Sequence, residues 1–271
     1  MISLKRNSRN ELAPAPGVRS QARYIYTPGQ KEDFKISRSK FSDFLACQRC
    51  FYMDRVLGFI SPSTPGWSLN SLTDALLKKE FDVCREEQTP HRLFLDNGLD
   101  HLVPLKHEEM DKWRDSLRHG LMSRFEESNI ILSGGVDDIW QDTRTGELVV
   151  ADYKSQATER GVNPNTYFAY GHHHDYKIQL EFYAFLLRAM NFPVSEVAYL
   201  LIVNGRGDPD GFNGEIKFSE TLISYKHDCN WIPEKVNEMI EVLNNKQAPE
   251  AHPSCENCAY ARQRAELDIP S

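Results

Sequence analysis

The sequence predicts a mixed α/β fold: a central sheet flanked by helices, with a small cysteine-bound lobe joining the two ends of the chain. Two apolar runs, 132–140 and 147–154, flank Asp142-Thr143-Arg144-Thr145-Gly146 and read as a strand hairpin. Helical periodicity precedes the hairpin, and helix and strand alternate after it, the order of helices laid on a sheet. Two Cys-x-x-Cys pairs, Cys47/Cys50 and Cys255/Cys258, stand near opposite ends.

Taken in order, residues 1–34 are expected to form a flexible arm. Lys5, Arg6, Arg9, Arg19 and Arg23 stand there against Glu11 among prolines and serines. A single domain is expected over 35–260, and a tail over 261–271. Ser39 is placed to cap a helix over 40–52 whose apolar faces come from Phe41, Phe44, Leu45 and Phe51. A Gly/Pro/Ser loop follows over 58–66. The next helix, 69–87, carries Leu69, Leu72, Leu76 and Val83 on one side and Leu77 and Phe81 on another. Two apolar sides predict a largely buried helix, with Asp74 projecting beside Leu77 and Phe81. A third helix is expected around 108–127. After the hairpin come a polar loop over 156–175, a helix over 176–190, a strand over 197–203, a hairpin-like pair over 214–223 and a helix over 232–243. The run His172-His173-His174-Asp175 fits a loop beside a substrate cleft better than a metal site, since three consecutive residues cannot all face one ion on a regular element.

Composition narrows the class. In 271 residues, 40% are hydrophobic and 11% aromatic, enough for a substantial core. No apolar run has the length of a membrane span, and residues 1–7 lack the apolar segment of a secretory signal. A cytoplasmic protein without membrane association is expected. A net charge of −7 argues against passive, high-affinity binding to nucleic acid. It argues less against an enzyme whose acids hold divalent cations. Six cysteines without an export signal argue against a disulfide framework. Paired Cys-x-x-Cys units suit a metal centre, while Cys84 and Cys229 read as small buried hydrophobes.

Chemistry concentrates on the hairpin. Period-2 geometry sets Asp152 and Lys154 on one face of their strand and Tyr153 on the other. A turn at Arg144-Thr145 puts Asp137 opposite Asp152, and directly opposed residues have Cβ atoms about 5 Å apart, close enough to share a cation. The apolar run Val149-Val150-Ala151 before Asp152 marks a strand buried on both faces, so the charges at its end are held at a site. Two acids and a lysine so placed suit phosphodiester hydrolysis, which needs a hard metal ion and a fixed positive charge near the attacking water. Farther on, Gln179 and Tyr183 are i,i+4 neighbours on one helical face.

In sequence order these residues read G-x-x-D (Gly134, Asp137), D-x-K (Asp152, Lys154) and Q-x-x-x-Y (Gln179, Tyr183). That set resembles the PD-(D/E)XK nuclease superfamily, and within it the RecB-like branch that includes the CRISPR-associated RecB-like exonucleases. The resemblance spans roughly 39–260. It implies a restriction-endonuclease-like core and a metal-dependent DNA nuclease, exonuclease-like on DNA ends or single strands. Asp137, Asp152 and the Tyr153 carbonyl would hold one or two Mg²⁺ or Mn²⁺ ions. Lys154 would orient the attacking water, while Gln179 and Tyr183 would position the lysine, the water or the substrate. Protein partners in DNA repair or defence follow by the same resemblance.

Two departures stand out. The branch places a metal-binding histidine on the helix before the sheet, where this chain has Asp74. Aspartate also suits Mg²⁺, so Asp74 is a candidate ligand; the plain alternative is an ion pair with a lysine. Relatives hold an iron–sulfur cluster with one N-terminal and three C-terminal cysteines, whereas here Cys47 and Cys50 face Cys255 and Cys258 in a two-and-two partition. Four thiolates suit a 4Fe–4S cluster or Zn²⁺, the cluster being favoured by the resemblance. A catalytically idle version of the fold, binding DNA ends or a protein partner, is the alternative reading.

Overall fold

The structure, a computed structural model, describes residues 3–64 and 66–267. Residues 1–2 of the expected arm and 268–271 of the expected tail lie outside the described residues. In chain order the elements are β1 (Phe34–Ser37), α1 (Arg38–Ala46), α2 (Gln48–Arg55), α3 (Ser68–Glu87), α4 (Arg92–Asp96), β2 (Leu102–Pro104), α5 (Met110–Arg114), β3 (Leu121–Arg124), β4 (Ile130–Gly134), β5 (Asp138–Asp142), β6 (Leu148–Gln156), α6 (His174–Ala189), β7 (Val197–Gly205), β8 (Phe218–Lys226), α7 (Ile232–Asn244) and α8 (Glu256–Glu266). They fall into two compact units: Met1–Gly66 with Arg124–Leu132 and Ile232–Ser271, and Trp67–Ser123 with Ser133–Trp231.

The second unit is built on a five-stranded mixed sheet in the order β2-β5-β6-β7-β8. β5 and β6 form the expected hairpin. Its register pairs Asp138 with Ala151 and Gln141 with Leu148, which centres the turn on Arg144-Thr145. The turn closes through Gly146 N–H to Asp142 O at 2.7 Å, with Gly146 at φ +76°, a conformation that favours glycine. β6 and β7 are parallel, so α6 is the crossover between them. β8 returns antiparallel to β7.

Alternate residues of the central strands point to opposite faces, and both faces are covered. Val149, Ala151, Tyr153, Leu201 and Val203 pack with Leu77, Phe81 and Trp140 on the α3 side. Leu200, Ile202 and Ile223 pack with Tyr167 on the other. Phe81 is fully buried, stacked parallel to Trp140 with ring centroids 5.7 Å apart. Truncating so enclosed an aromatic costs about 3–5 kcal/mol.

The first unit gathers α1, α2, α7 and α8. Tyr52 Oη donates to Asn245 O at 3.0 Å and Arg49 Nη1 to Pro249 O at 3.1 Å, binding α2 to the segment after α7. Phe34 N donates to Asn129 O at 2.8 Å as β1 joins the start of β4. The segment before β1 carries an Arg19–Asp54 ion pair and a buried Tyr26.

Several expected elements differ. The helix over 40–52 is two helices, broken at Cys47, whose extended backbone (φ −160°) lies outside helical space. The first of them starts at Arg38 rather than after a Ser39 cap, with Ser37 at the cap position. The helix over 108–127 shrinks to α5 before giving way to β3, because Gly120 (φ +85°) turns the chain there. The hairpin-like pair over 214–223 is a loop leading into the single strand β8. α3 buries one side only: Leu77 and Phe81 face the core, whereas Leu69, Leu72, Leu76 and Val83 are exposed. Cys229 is buried as expected; Cys84 is only half-buried.

Candidate active site

The hairpin brings the acids together. Asp137 stands immediately before β5, and the register carried one pair further sets it opposite Asp152, the outcome the turn position predicted. Asp137 Oδ2 accepts a 3.0 Å hydrogen bond from Tyr153 N. The two carboxyl groups lie near enough for each to shift the other's ionisation. Asp152, at 1% exposure, has Oδ1 held by Gln179 Nε2 at 2.6 Å and Oδ2 in contact with Lys154 Nζ. Gln179 Nε2 also lies 3.2 Å from Tyr183 Oη, so these α6 residues brace the carboxylate. Lys154 Nζ lies 5.3 Å over the Tyr176 ring, a cation–π arrangement.

The electrostatics follow from this crowding. Burial pushes the Asp152 carboxyl up to about 7, reinforced by Asp137 and opposed by Lys154. Burial also works against the Asp137 anion, but Lys154 and Lys78 outweigh it and hold that carboxyl below its usual value. Burial disfavours the Lys154 cation, yet Asp152 and Asp137 raise its pKa on balance.

Asp74 lies on the same face of α3 as Lys78, whose Nζ is 2.8 Å from Asp74 Oδ2 and 3.5 Å from Asp137 Oδ1. The three carboxylates do not converge on a point. Among the described residues, only the four cysteines bring three or more ligand atoms within 4.8 Å of one another. Even so, the donor set suits a hard cation. Asp137 and Asp152 stand opposite each other across the hairpin, and Asp74 Oδ1 is buried with no hydrogen-bond partner among the described residues.

Behind the site lies an ion network that the motif reading passed over. Asp138, fully buried, accepts hydrogen bonds from Arg85 Nη2, Arg114 Nη2 at 3.1 Å and Tyr153 Oη at 2.6 Å. Arg114 Nε also donates to Asp137 O at 3.2 Å, so the same guanidinium grips both aspartates. Burial and the neighbouring Asp138 anion push the Tyr153 phenol well above its usual pKa. Close packing fixes the approach to Asp137: a Cβ on Gly135 would stand 2.6 Å from Ser116 Cα. The only sequence signal for this network was the doubled Asp137-Asp138.

Of the histidine run, His173 and His174 do not form a loop. His174 opens α6, and His173 is buried, its ring stacked on Tyr167 with centroids 3.8 Å apart.

In the first unit, Cys47 and Cys50 meet Cys255 and Cys258. Sγ–Sγ distances are 3.8 Å for Cys47–Cys258, 3.5 Å for Cys50–Cys255 and 3.4 Å for Cys50–Cys258. The helix break at Cys47 means this pair does not share a helix face. Burial pushes the Cys47 thiol up, but hydrogen bonds from His252, Cys50 and Cys255 outweigh it and bring the thiol down to about 7. Burial and the surrounding thiols push Cys50 up.

The central strand β6 carries Asp152-x-Lys154, with a second acid in register beside it on the neighbouring chain segment. The chain belongs to the PD-(D/E)XK nuclease superfamily, which it matches over residues 35–263. Among solved structures it is similar to that of a candidate exonuclease from Eubacterium rectale, with 14% identity over 92% of this chain and 91% of that one. The TM-score is 0.38, a likeness too loose to bear on activity. No curated protein matches the chain. No helix among the described residues is long and apolar enough to cross a membrane.

Proposed function

We propose that the protein is a divalent-metal-dependent DNA nuclease acting on ends or single strands, its centre formed by Asp137, Asp152, Lys154, Gln179 and Tyr183. The observation that carries this reading is the opposition of Asp137 and Asp152 across the β5–β6 hairpin, with Lys154 in contact with Asp152. Such a charge pattern has little structural use and a direct hydrolytic one.

Asp137, Asp152 and the Tyr153 carbonyl would hold Mg²⁺ or Mn²⁺, and Asp74, with Oδ1 unpaired among the described residues, is a further candidate ligand. When bound, the ion polarises the phosphate and makes a water nucleophilic near neutral pH. Lys154 Nζ orients that water and offsets charge building on the phosphate. Gln179 holds Asp152 in its rotamer, and Tyr183 anchors Gln179. The net charge of −7 and the absence of an evident base-reading element favour ends or flexible strands over a specific duplex sequence.

For the cysteines, the sulfur spacing supports a single tetrahedral ion such as Zn²⁺. Bonds of about 2.3 Å place the sulfurs of a tetrahedral ion roughly 3.8 Å apart, whereas a cluster with iron at each corner spreads its thiolates wider. The centre is a structural clasp, and repair or defence partners remain the biological setting suggested by the RecB-like resemblance.

Cleavage of end-labelled single- and double-stranded DNA by the purified protein, with Mg²⁺, Mn²⁺ or EDTA, tests the proposal. Metal-dependent shortening from ends supports it. DNA binding without cleavage under any metal would establish the catalytically idle alternative instead.

A further inference from the structure

We infer that Lys78 is a resident cation standing where a second metal ion would sit, so that the centre at Asp137 and Asp152 takes one divalent ion. This rests on the reading that those two aspartates hold metal. Lys78 and Asp74 are one turn apart on α3, and the Lys78 amine bridges Asp74 Oδ2 at 2.8 Å and Asp137 Oδ1 at 3.5 Å. The other Asp137 oxygen is occupied by the Tyr153 N–H. On the opposite side Lys154 contacts Asp152. The carboxylate pair is therefore flanked by an ammonium group at each end.

Charge balance argues the same way. With every group ionised, three aspartates and two lysines leave the centre with a formal charge of −1. One divalent ion makes it singly positive, the complement of one phosphodiester. A second ion would leave it triply positive in a partly buried place, where uncompensated charge is costly. In two-ion hydrolases the second ion stabilises the leaving oxygen; the Lys78 ammonium would supply a unit positive charge in its stead. Asp74 then serves as the counter-ion of Lys78 through Oδ2, while its Oδ1 has no hydrogen-bond partner among the described residues.

Mn²⁺ binding decides the matter, measured by equilibrium dialysis and electron paramagnetic resonance on full-length protein whose cysteine clasp keeps its own metal. Wild type should bind one Mn²⁺ at the aspartate centre, with an uncoupled signal. Lys78→Ala should bind two, with a spin-coupled signal, and adding Asp74→Asn should return the count to one. Lys78→Arg, which keeps the charge, should stay at one. Lys78→Gln keeps most of the side-chain stem and serves if the alanine variant fails to fold. Two ions in wild type, or one in folded Lys78→Ala or Lys78→Gln, would overturn the inference while leaving the nuclease reading intact. No Mn²⁺ in wild type would overturn that reading and the inference with it.

Discussion

Gln179 Nε2 donates to Asp152 Oδ1 at 2.6 Å, so a residue of α6 fixes one carboxylate oxygen while Lys154 on β6 holds the other. Outer-shell hydrogen bonds of this kind are worth about 10–100-fold in metal affinity. Gln179→Leu should raise the Mg²⁺ concentration needed for half-maximal cleavage by that factor while the melting curve changes little. Gln179→Glu should do worse, because it sets a third carboxylate against Asp152. A Mg²⁺ titration identical to wild type for both variants would remove Gln179 from the centre.

Asp137→Ala, Asp152→Ala and Lys154→Ala should each abolish cleavage without unfolding the protein. Each would remove a proposed ligand, beside β5 or on β6, or the water-orienting charge on β6, and the apolar run Val149-Val150-Ala151 that anchors β6 stays buried. Circular dichroism together with a cleavage assay checks both halves. Undiminished cleavage by either carboxylate variant would move the centre elsewhere.

Asp138 should behave in the opposite way to its neighbour. Asp138→Ala leaves Arg85 and Arg114 facing a buried vacancy, and removing one partner of a buried ion network costs about 3–5 kcal/mol. Denaturant unfolding should show that loss, against a much smaller change for Asp137→Ala. Equal destabilisation by the two would contradict their separate roles.

Stability should also respond to acid through Asp54. Burial works against its charge, but Arg55, Lys40 and Arg19 outweigh it and bring the carboxyl down to about 2. A carboxyl depressed in the folded state stabilises above its unfolded value near 3.8, and that contribution is lost as pH falls toward 2. With Asp54 15% exposed, the contribution is at most about 2 kcal/mol after allowance for solvent screening. The stability gap between wild type and Asp54→Asn should therefore be full at pH 6 and close between about pH 5 and 2. A gap that persists at pH 2 would assign it to packing.

Cys255→Ser should release the clasp metal and lower the unfolding midpoint. A crosslink closing a loop of about two hundred residues contributes about 5 kcal/mol in the chain-entropy treatment. Elemental analysis of anaerobically purified protein should find one zinc per chain. Iron with sulfide would establish a cluster instead, and neither metal with an unchanged melting curve would reduce the four residues to ordinary thiols.

What the sequence determined by itself was local and periodic. The turn at Arg144-Thr145 set the register that opposes Asp137 and Asp152, because pairing in a tight hairpin is fixed by its turn. The apolar run before Asp152 marked a strand covered on both faces, and Cys-x-x-Cys spacing marked the clasp. Tertiary structure decided what depends on residues far apart in the chain. Period-3.6 patterning on α3 could not say which of two apolar sides meets the sheet, and only the side with Leu77 and Phe81 does. It could not foresee that Arg85 and Arg114, from separate helices, converge on Asp138. Nor could it show that Gln179 reaches Asp152, or that Lys78 bridges Asp74 and Asp137. Local propensity acts over a few residues, whereas these charges meet only once the helices have docked on the sheet and desolvation makes each unpaired group costly.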